Sequence, residues 1–338
     1  MKKIIFRTCV FLILTIGLFY IFDMVYTYLL THSNNDKIWW AAKIKDKKYD
    51  FGFLGNSRAA FMVNTDTLEK RWGKKGVNLG IGGINIMEQY LIINKFYENR
   101  NSLSDIFIEV DIIDLGRLTS LKSQYRLYPF LPFITIDRHV YDEVKKNYGA
   151  KSAFYWRYLP FYRYIQFNSK IGSVAVLNCF LPIEKPDFDM ETGDVEIYKI
   201  SEKGRLGHIP LDYKPTGEKW EGIYSIQYYN YLERIIKVCE QNGTKVHLYT
   251  APYFYLKYES CQNFNAVVDS AILPICKKYN ADYKNFCGMK ISHNPMCFTI
   301  DQNHITDAGM PIFMDSISHS YNLNTHSIIG NGLSYKRP

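Results

Sequence analysis

Short apolar runs alternate with helix-periodic stretches along most of the chain. Residues 50–55, 77–79, 106–110, 244–250 and 281–283 read as strands. Between and after them, 58–72, 86–98, 228–239, 264–279 and a last segment from about Asp307 to Tyr321 carry helical spacing. Gly243 stops one of these helices, and Pro252 ends a strand. Strands joined by helices over short connections imply a parallel sheet covered on both faces, an α/β chain in three α/β/α layers. Such sheets take their ligands at the C-terminal ends of the strands. The alternation breaks over 115–222, a large insertion after the third strand that is rich in Tyr, Phe, Trp and Arg, as in 155–164. It is expected to pack over one end of the sheet. Its aromatics either form its own core or shape a cap that lines a substrate groove or rests on a membrane. No internal repeat or low-complexity segment is present, and 323–338, with several Asn, Ser and Gly, reads as a loose tail.

The first thirty residues bear on the compartment. Lys2, Lys3 and Arg7 precede the uncharged run Thr8–Phe22, and Ile4–Phe6 extend its apolar character. Together these approach the ~20 residues needed to cross a bilayer. Arg7 sits at the edge, where its stem can carry the charge to the interface. Tyr20, Tyr26 and Tyr28 suit the opposite interface. Positive charge before the run and Asp23 after it put the N-terminus in the cytoplasm and the body outside. The bulky residues Phe22–Tyr26 offer no small-x-small cleavage site, so 1–30 is expected to remain as a single-pass anchor in the cytoplasmic (inner) membrane, a cleaved signal peptide being the rival. Residues 31–47 then read as a linker and 48–322 as the extracytoplasmic domain, in the periplasm or at the cell exterior.

The net charge of +8 is spread along 338 residues with no long Lys/Arg block, which excludes a dedicated nucleic-acid binder. With 47% apolar and 22% charged residues the chain is globular, not a collagen, coiled coil or multi-span transporter. Of the seven cysteines, Cys9 lies in the anchor and six lie beyond it, where disulfides are permitted. Buried thiols and one or two bridges are both open, since six cysteines allow fifteen pairings.

Three short segments carry chemistry. The first is Leu54-Gly55-Asn56-Ser57-Arg58-Ala59. A serine directly after a strand stands at the ligand-binding edge, exposed at the turn that Gly55 permits. Its own N–H points out of a helix start, where it can meet an oxyanion. A serine there is also a common N-cap. The second is Asn78-Leu79-Gly80-Ile81-Gly82-Gly83, where a glycine lets the backbone approach a ligand and donate an N–H. Its spacing is not that of a dinucleotide fingerprint. The third is Asp301-Gln302-Asn303-His304, in which the carboxylate can keep one imidazole nitrogen protonated and leave the other as a base. A metal pair formed by Asp301 and His304 lacks a third ligand at suitable spacing.

Taken together, order, strand context and the Asp-x-x-His-x-Thr-x-x-Gly form resemble the SGNH (GDSL-like) hydrolase superfamily, over roughly 48–115 and 223–320. That resemblance implies a three-layer SGNH/flavodoxin-like sandwich, with Ser57 as nucleophile, His304 as base and Asp301 as its orienting acid. It also implies oxyanion donation from the N–H groups of Ser57 and Gly80. The N-terminal anchor and the Gly-Asn-Ser-Arg motif look like the membrane-anchored branch that includes proteins of teichoic-acid D-alanylation and polysaccharide O-acetylation. The chain departs from the pattern twice. Asn56 replaces the Asp before the serine, and the third block, Glu109-Val110-Asp111-Ile112-Ile113-Asp114, lacks the family's oxyanion-donating Asn. An ionised Asp there would repel an oxyanion, so the third donor comes from Asn85, Arg58 or the insertion, or is missing.

The expected activity is a serine acyl-ester hydrolase or O-acyltransferase acting on cell-envelope polysaccharide or lipid-linked glycan. No metal or organic cofactor is implied. A transferase would need an acyl donor outside the cytoplasm, supplied by a multi-span membrane partner. The alternative is a non-catalytic SGNH-like module that binds glycan or a partner of an envelope acylation system.

Overall fold

The computed structural model describes residues 1–33, 36–111, 115, 128–166, 176–177, 179–181, 185–195, 225–260, 264–321 and 323. About half of the insertion read at 115–222, with Ile112–Asp114, Cys261 and nearly all of the 323–338 tail, lies outside them.

Five strands, β1 (Lys48–Leu54), β2 (Gly76–Asn78), β3 (Ser102–Glu109), β4 (Lys245–Thr250) and β5 (Asp282–Asn285), form one parallel sheet in the order β2-β1-β3-β4-β5. The chain moves outward in one direction from β1 to β2 and in the other from β3 to β5. A crevice therefore opens between β1 and β3 at their C-terminal ends, the position where such sheets bind ligands. Ser57 follows β1 at this crevice.

Period-2 alternation sends aliphatic side chains to one face and mostly aromatic ones to the other. Ile106, Ile108, Val246 and Leu248 pack under α2 (Lys37–Lys43), α5 (Ile86–Glu98) and α8 (Ile226–Gln241). Phe51, Phe53, Phe107 and Tyr249 pack under α4 (Thr65–Trp72) and the last helix, α9 (Met310–Ser320). The chain is thus a three-layer α/β/α sandwich, as expected. The helix read over 58–72 is two helices, α3 (Ser57–Met62) and α4, because Val63 is extended and the Asn64 side chain caps α4 through Thr67 N–H at 2.7 Å. Residues 37–43, within the stretch expected to be a linker, form a helix whose Ile38, Trp39 and Trp40 are buried.

In the insertion, η-type turns surround α6 (Arg138–Tyr148) and α7 (Ala150–Tyr158). Its two ends meet where Ser225 N–H donates to Leu115 O at 2.6 Å. Residues 188–195 return to the domain edge: Asn78 N–H donates to Thr192 O at 2.7 Å, and Asp194 Oδ2 accepts Thr65 N–H at 2.8 Å at the start of α4. The N-terminal helix α1 (Lys2–His32) is long and apolar enough to cross a membrane. None of Cys9, Cys179, Cys239, Cys276, Cys287 and Cys297 is disulfide-bonded.

Candidate active site

The three segments singled out in the sequence converge at the C-terminal edge of the sheet. Ser57 is the first residue of α3, so its N–H is one of the first-turn amides that the helix leaves unpaired. Its Oγ donates to His304 Nε2 at 2.8 Å, and His304 Nδ1 donates to Asp301 Oδ2 at 2.6 Å. With Nδ1–H fixed by the carboxylate, Nε2 is the free acceptor. The chain Asp301–His304–Ser57 has the geometry that makes an alcohol nucleophilic.

The loop that carries Asp301 and His304 is built tightly. Phe298 and Ile305 bridge it, Thr299 N–H donates to His304 O at 2.9 Å, and Gln302 takes a left-handed φ of 62°. Asp301 Oδ1 accepts Thr299 Oγ1–H at 2.5 Å and Asn303 N–H at 2.9 Å. Burial opposes ionisation of Asp301, but the hydrogen bonds from His304, Thr299 and the Asn303 amide outweigh it and hold the carboxyl well below the usual carboxylate range. Asp301 therefore stays anionic whenever the imidazole needs it. The Phe61 ring stands edge-on to His304 at 5.8 Å. The His304 side chain keeps 18% of its surface exposed.

Arg58 differs from expectation. It is not an oxyanion donor but a buried strut, 1% exposed. Nε donates to Glu109 Oε1 at 2.9 Å, Nη1 to the Asn303 carbonyl at 2.9 Å and Nη2 to the Ala251 carbonyl. Its guanidinium lies 3.5 Å from the centroid of the Tyr253 ring. The ends of β1, β3 and β4 and the histidine loop are thereby pinned to one side chain. The signal for this was faint: an arginine next to the serine, with a glutamate at the end of the third strand.

Gly80 also differs. Its N–H donates to Asn78 Oδ1 at 2.9 Å, so that amide is engaged and not turned to a ligand in this conformation. What the glycine provides is closeness. A Cβ there would lie 2.6 Å from Ala60 N and 2.8 Å from Ala59 C, which lets the 79–83 turn press against α3. Asn78, missed in the sequence, rivets this contact, with Nδ2 donating to the Ala59 and Val63 carbonyls at 3.2 and 3.3 Å. Asn85 is the N-cap of α5 in a capping box with Glu88, and its buried Nδ2 makes no hydrogen bond among the described residues.

The residues at the two departures from the expected pattern meet in the fold. Asn56 Nδ2 donates to Asp111 Oδ2 at 2.9 Å, so amide and carboxylate face each other. Asn56 Oδ1 caps Arg58 N–H at 2.9 Å, and Tyr253 OH donates to Asp111 Oδ1 at 2.7 Å. The Asp111 charge is thus held by two donors and lies near the Arg58 guanidinium, which offsets it.

No protein-family model matches the chain, and no curated protein matches it. Among solved structures it is similar to a Bacteroides fragilis protein described as a "putative acylhydrolase", at 12% identity and a TM-score of 0.40, over 82% of this chain and 87% of that one. The likeness is too distant to bear on activity.

Proposed function

We propose that the protein is a membrane-anchored extracytoplasmic serine acyl-ester hydrolase or O-acyltransferase of cell-envelope glycan. The observation that carries the reading is the continuous hydrogen-bonded chain from Asp301 through His304 to Ser57, at 2.6 and 2.8 Å. Ser57 Oγ attacks the ester carbonyl as its proton passes to His304 Nε2. The tetrahedral oxyanion meets the Ser57 N–H, with Asn85 Nδ2 as a candidate second donor and the Gly80 N–H as another once a ligand displaces Asn78. His304 then gives its proton to the departing alcohol and the acyl-enzyme forms. Water or a sugar hydroxyl, deprotonated by His304, takes the acyl group and restores Ser57. Hydrolysis and transfer differ only in this acceptor.

A non-catalytic module that binds glycan or a partner is the second reading. It is favoured by the engagement of the Gly80 amide with Asn78, since one missing oxyanion donor costs ~10²–10³ in rate. Turnover of 4-nitrophenyl acetate separates the two. Hydrolysis by the full chain that disappears in both Ser57→Ala and His304→Ala supports the enzyme. Unchanged rates in both variants, with the fold intact by circular dichroism, support the binder. Glycan acetyl content then assigns direction: a rise when the protein is removed means hydrolysis, a fall means transfer.

A further inference from the structure

α1 does not end at the apolar run. Ile4–Phe22 are exposed apart from a partly covered Thr15, while Asp23, Thr27, Leu30 and Thr31 are buried against the body. Nineteen residues of helix rise ~28 Å, close to the hydrocarbon thickness of a bilayer. Where that stretch stops, the insertion grips the helix. Asp23 Oδ2 accepts Arg163 Nη2–H at 2.6 Å, and Asp23 Oδ1 accepts Phe161 N–H at 2.9 Å. Arg163 Nη2 also donates to Thr27 Oγ1 at 2.7 Å, and Tyr20 OH donates to the Tyr158 carbonyl. The pair is buried, with Arg163 1% and Asp23 4% exposed. Phe161 is held at a φ of 60°, a backbone region a bulky side chain avoids unless its surroundings enforce it. These contacts fix residues 158–163 at the level of Tyr20–Asp23, where one face of α1 begins to be buried against the body while Met24, Val25 and Tyr28 on its other side stay exposed.

At that level the insertion presents apolar side chains to solvent. Phe154, Tyr158, Leu159, Tyr162 and Ile165 are all exposed, Ile165 to 73%. A groove of about 370 Å³ runs among Lys151, Tyr155, Trp156, Tyr162 and Ile165. Lys151 lines it, with Nζ 5.8 Å from the Tyr155 ring centroid, and Arg157 stands near, its Cζ 4.7 Å from the Tyr141 ring centroid and 5.7 Å from that of Tyr158. Aromatic rings with long cationic side chains are the composition of the bilayer interface, where an amphipathic ring keeps one end in hydrocarbon and one in headgroups. An exposed apolar patch of this kind marks a surface that meets a partner.

We infer that residues 154–165 form an interfacial collar that beds in the headgroup–acyl boundary of the bilayer α1 crosses, with Lys151 and Arg157 directed to anionic headgroups. The occupant is lipid because the patch adjoins the exposed surface of α1 through the Tyr20–Tyr158 contact and is fixed at the height where α1 begins to be buried against the body. The collar and the Asp23–Arg163 clasp hold the body at one height and one orientation above the membrane. The inference rests on α1 crossing a bilayer and not on the chemistry of Ser57.

Photoactivatable diazirine phospholipid in nanodiscs, with the full wild-type chain and crosslinks mapped by mass spectrometry, tests it. Crosslinks within Ile4–Phe22 report the span, and crosslinks within 154–165 report the collar. Both are expected, with collar labelling stronger in phosphatidylglycerol than in phosphatidylcholine discs. Phe154→Asp combined with Ile165→Asp is expected to lose the collar crosslinks while those of α1 persist. Labelling of α1 with none in 154–165, or crosslinks from 154–165 to a second copy of the chain, overturns the collar. Loss of labelling in α1 itself overturns its premise.

Discussion

Replacing Arg58 by Met removes the cation from a carboxylate that is itself fully buried, the side chains of the pair being 2% and 0% exposed. Breaking a buried ion pair from one side costs about 3–5 kcal/mol, because the remaining charge stays buried without its counterion. Domain stabilities lie near 5–15 kcal/mol, so this is a fifth or more of the total. At about 2–4 °C per kcal/mol, Tm should fall on the order of 10 °C. The side chain also ties the Asn303 carbonyl, next to His304, to α3. Losing that tie lets His304 drift from Ser57, and a displacement of ~1 Å costs ~10²-fold in rate. Adding Glu109→Leu removes the stranded carboxylate. Arg58→Met/Glu109→Leu should therefore recover most of the stability and little of the activity. Urea denaturation and 4-nitrophenyl acetate turnover, measured on the two singles and the double, read both quantities. An Arg58→Met protein that melts with the parent, or a double variant that recovers full activity, would refute the strut.

Asp111→Asn alone should lower stability by about 1 kcal/mol, since it sets two amides face to face, and adding Asn56→Asp should restore it by re-forming the pair with its roles exchanged; a thermal-shift cycle shows the non-additivity. Gly80→Ala forces a Cβ against the Ala59–Ala60 backbone and should cost about 1–3 kcal/mol together with a loss of esterase rate, read by melting and by turnover. His247 sits between Asp105 and Asp282, at 2.9 and 2.7 Å; burial works against its charge, but the two carboxylates win and raise its pKa. Its contribution to stability is full below the ordinary histidine value of ~6.5 and is lost as pH rises through the higher folded-state value. Denaturation midpoints of the parent should fall over that window, whereas those of His247→Gln should lack this slope.

The layers were legible because they rest on local signals. Apolar runs of strand length gave the sheet, and a serine after a strand and an Asp-x-x-His before the last helix marked the candidate site, whereas the order of the strands was not read from the sequence. The break between α3 and α4 was missed because Val63 and Asn64 carry no proline or glycine, and the stop depends on the Asn64 cap. Helix α2 was missed because its Ile38, Trp39 and Trp40 are apolar without helical period, and its burial is decided by α5. Arg58 was misassigned because proximity to Ser57 in sequence says nothing about which way a long side chain turns. It turns inward to a glutamate 51 residues away and carbonyls 193 and 245 residues away. The Asn56–Asp111 contact was visible only as two separate oddities until the fold brought the side chains within 2.9 Å.

Intact-mass analysis after exposure to a fluorophosphonate probe tests the activated serine most directly. One phosphonyl adduct, mapped to Ser57 and abolished both by Ser57→Ala and by His304→Ala, is the expected result. An unmodified wild-type mass under conditions where the chain is folded, or an adduct on Ser57 that persists in His304→Ala at the wild-type rate, would contradict it.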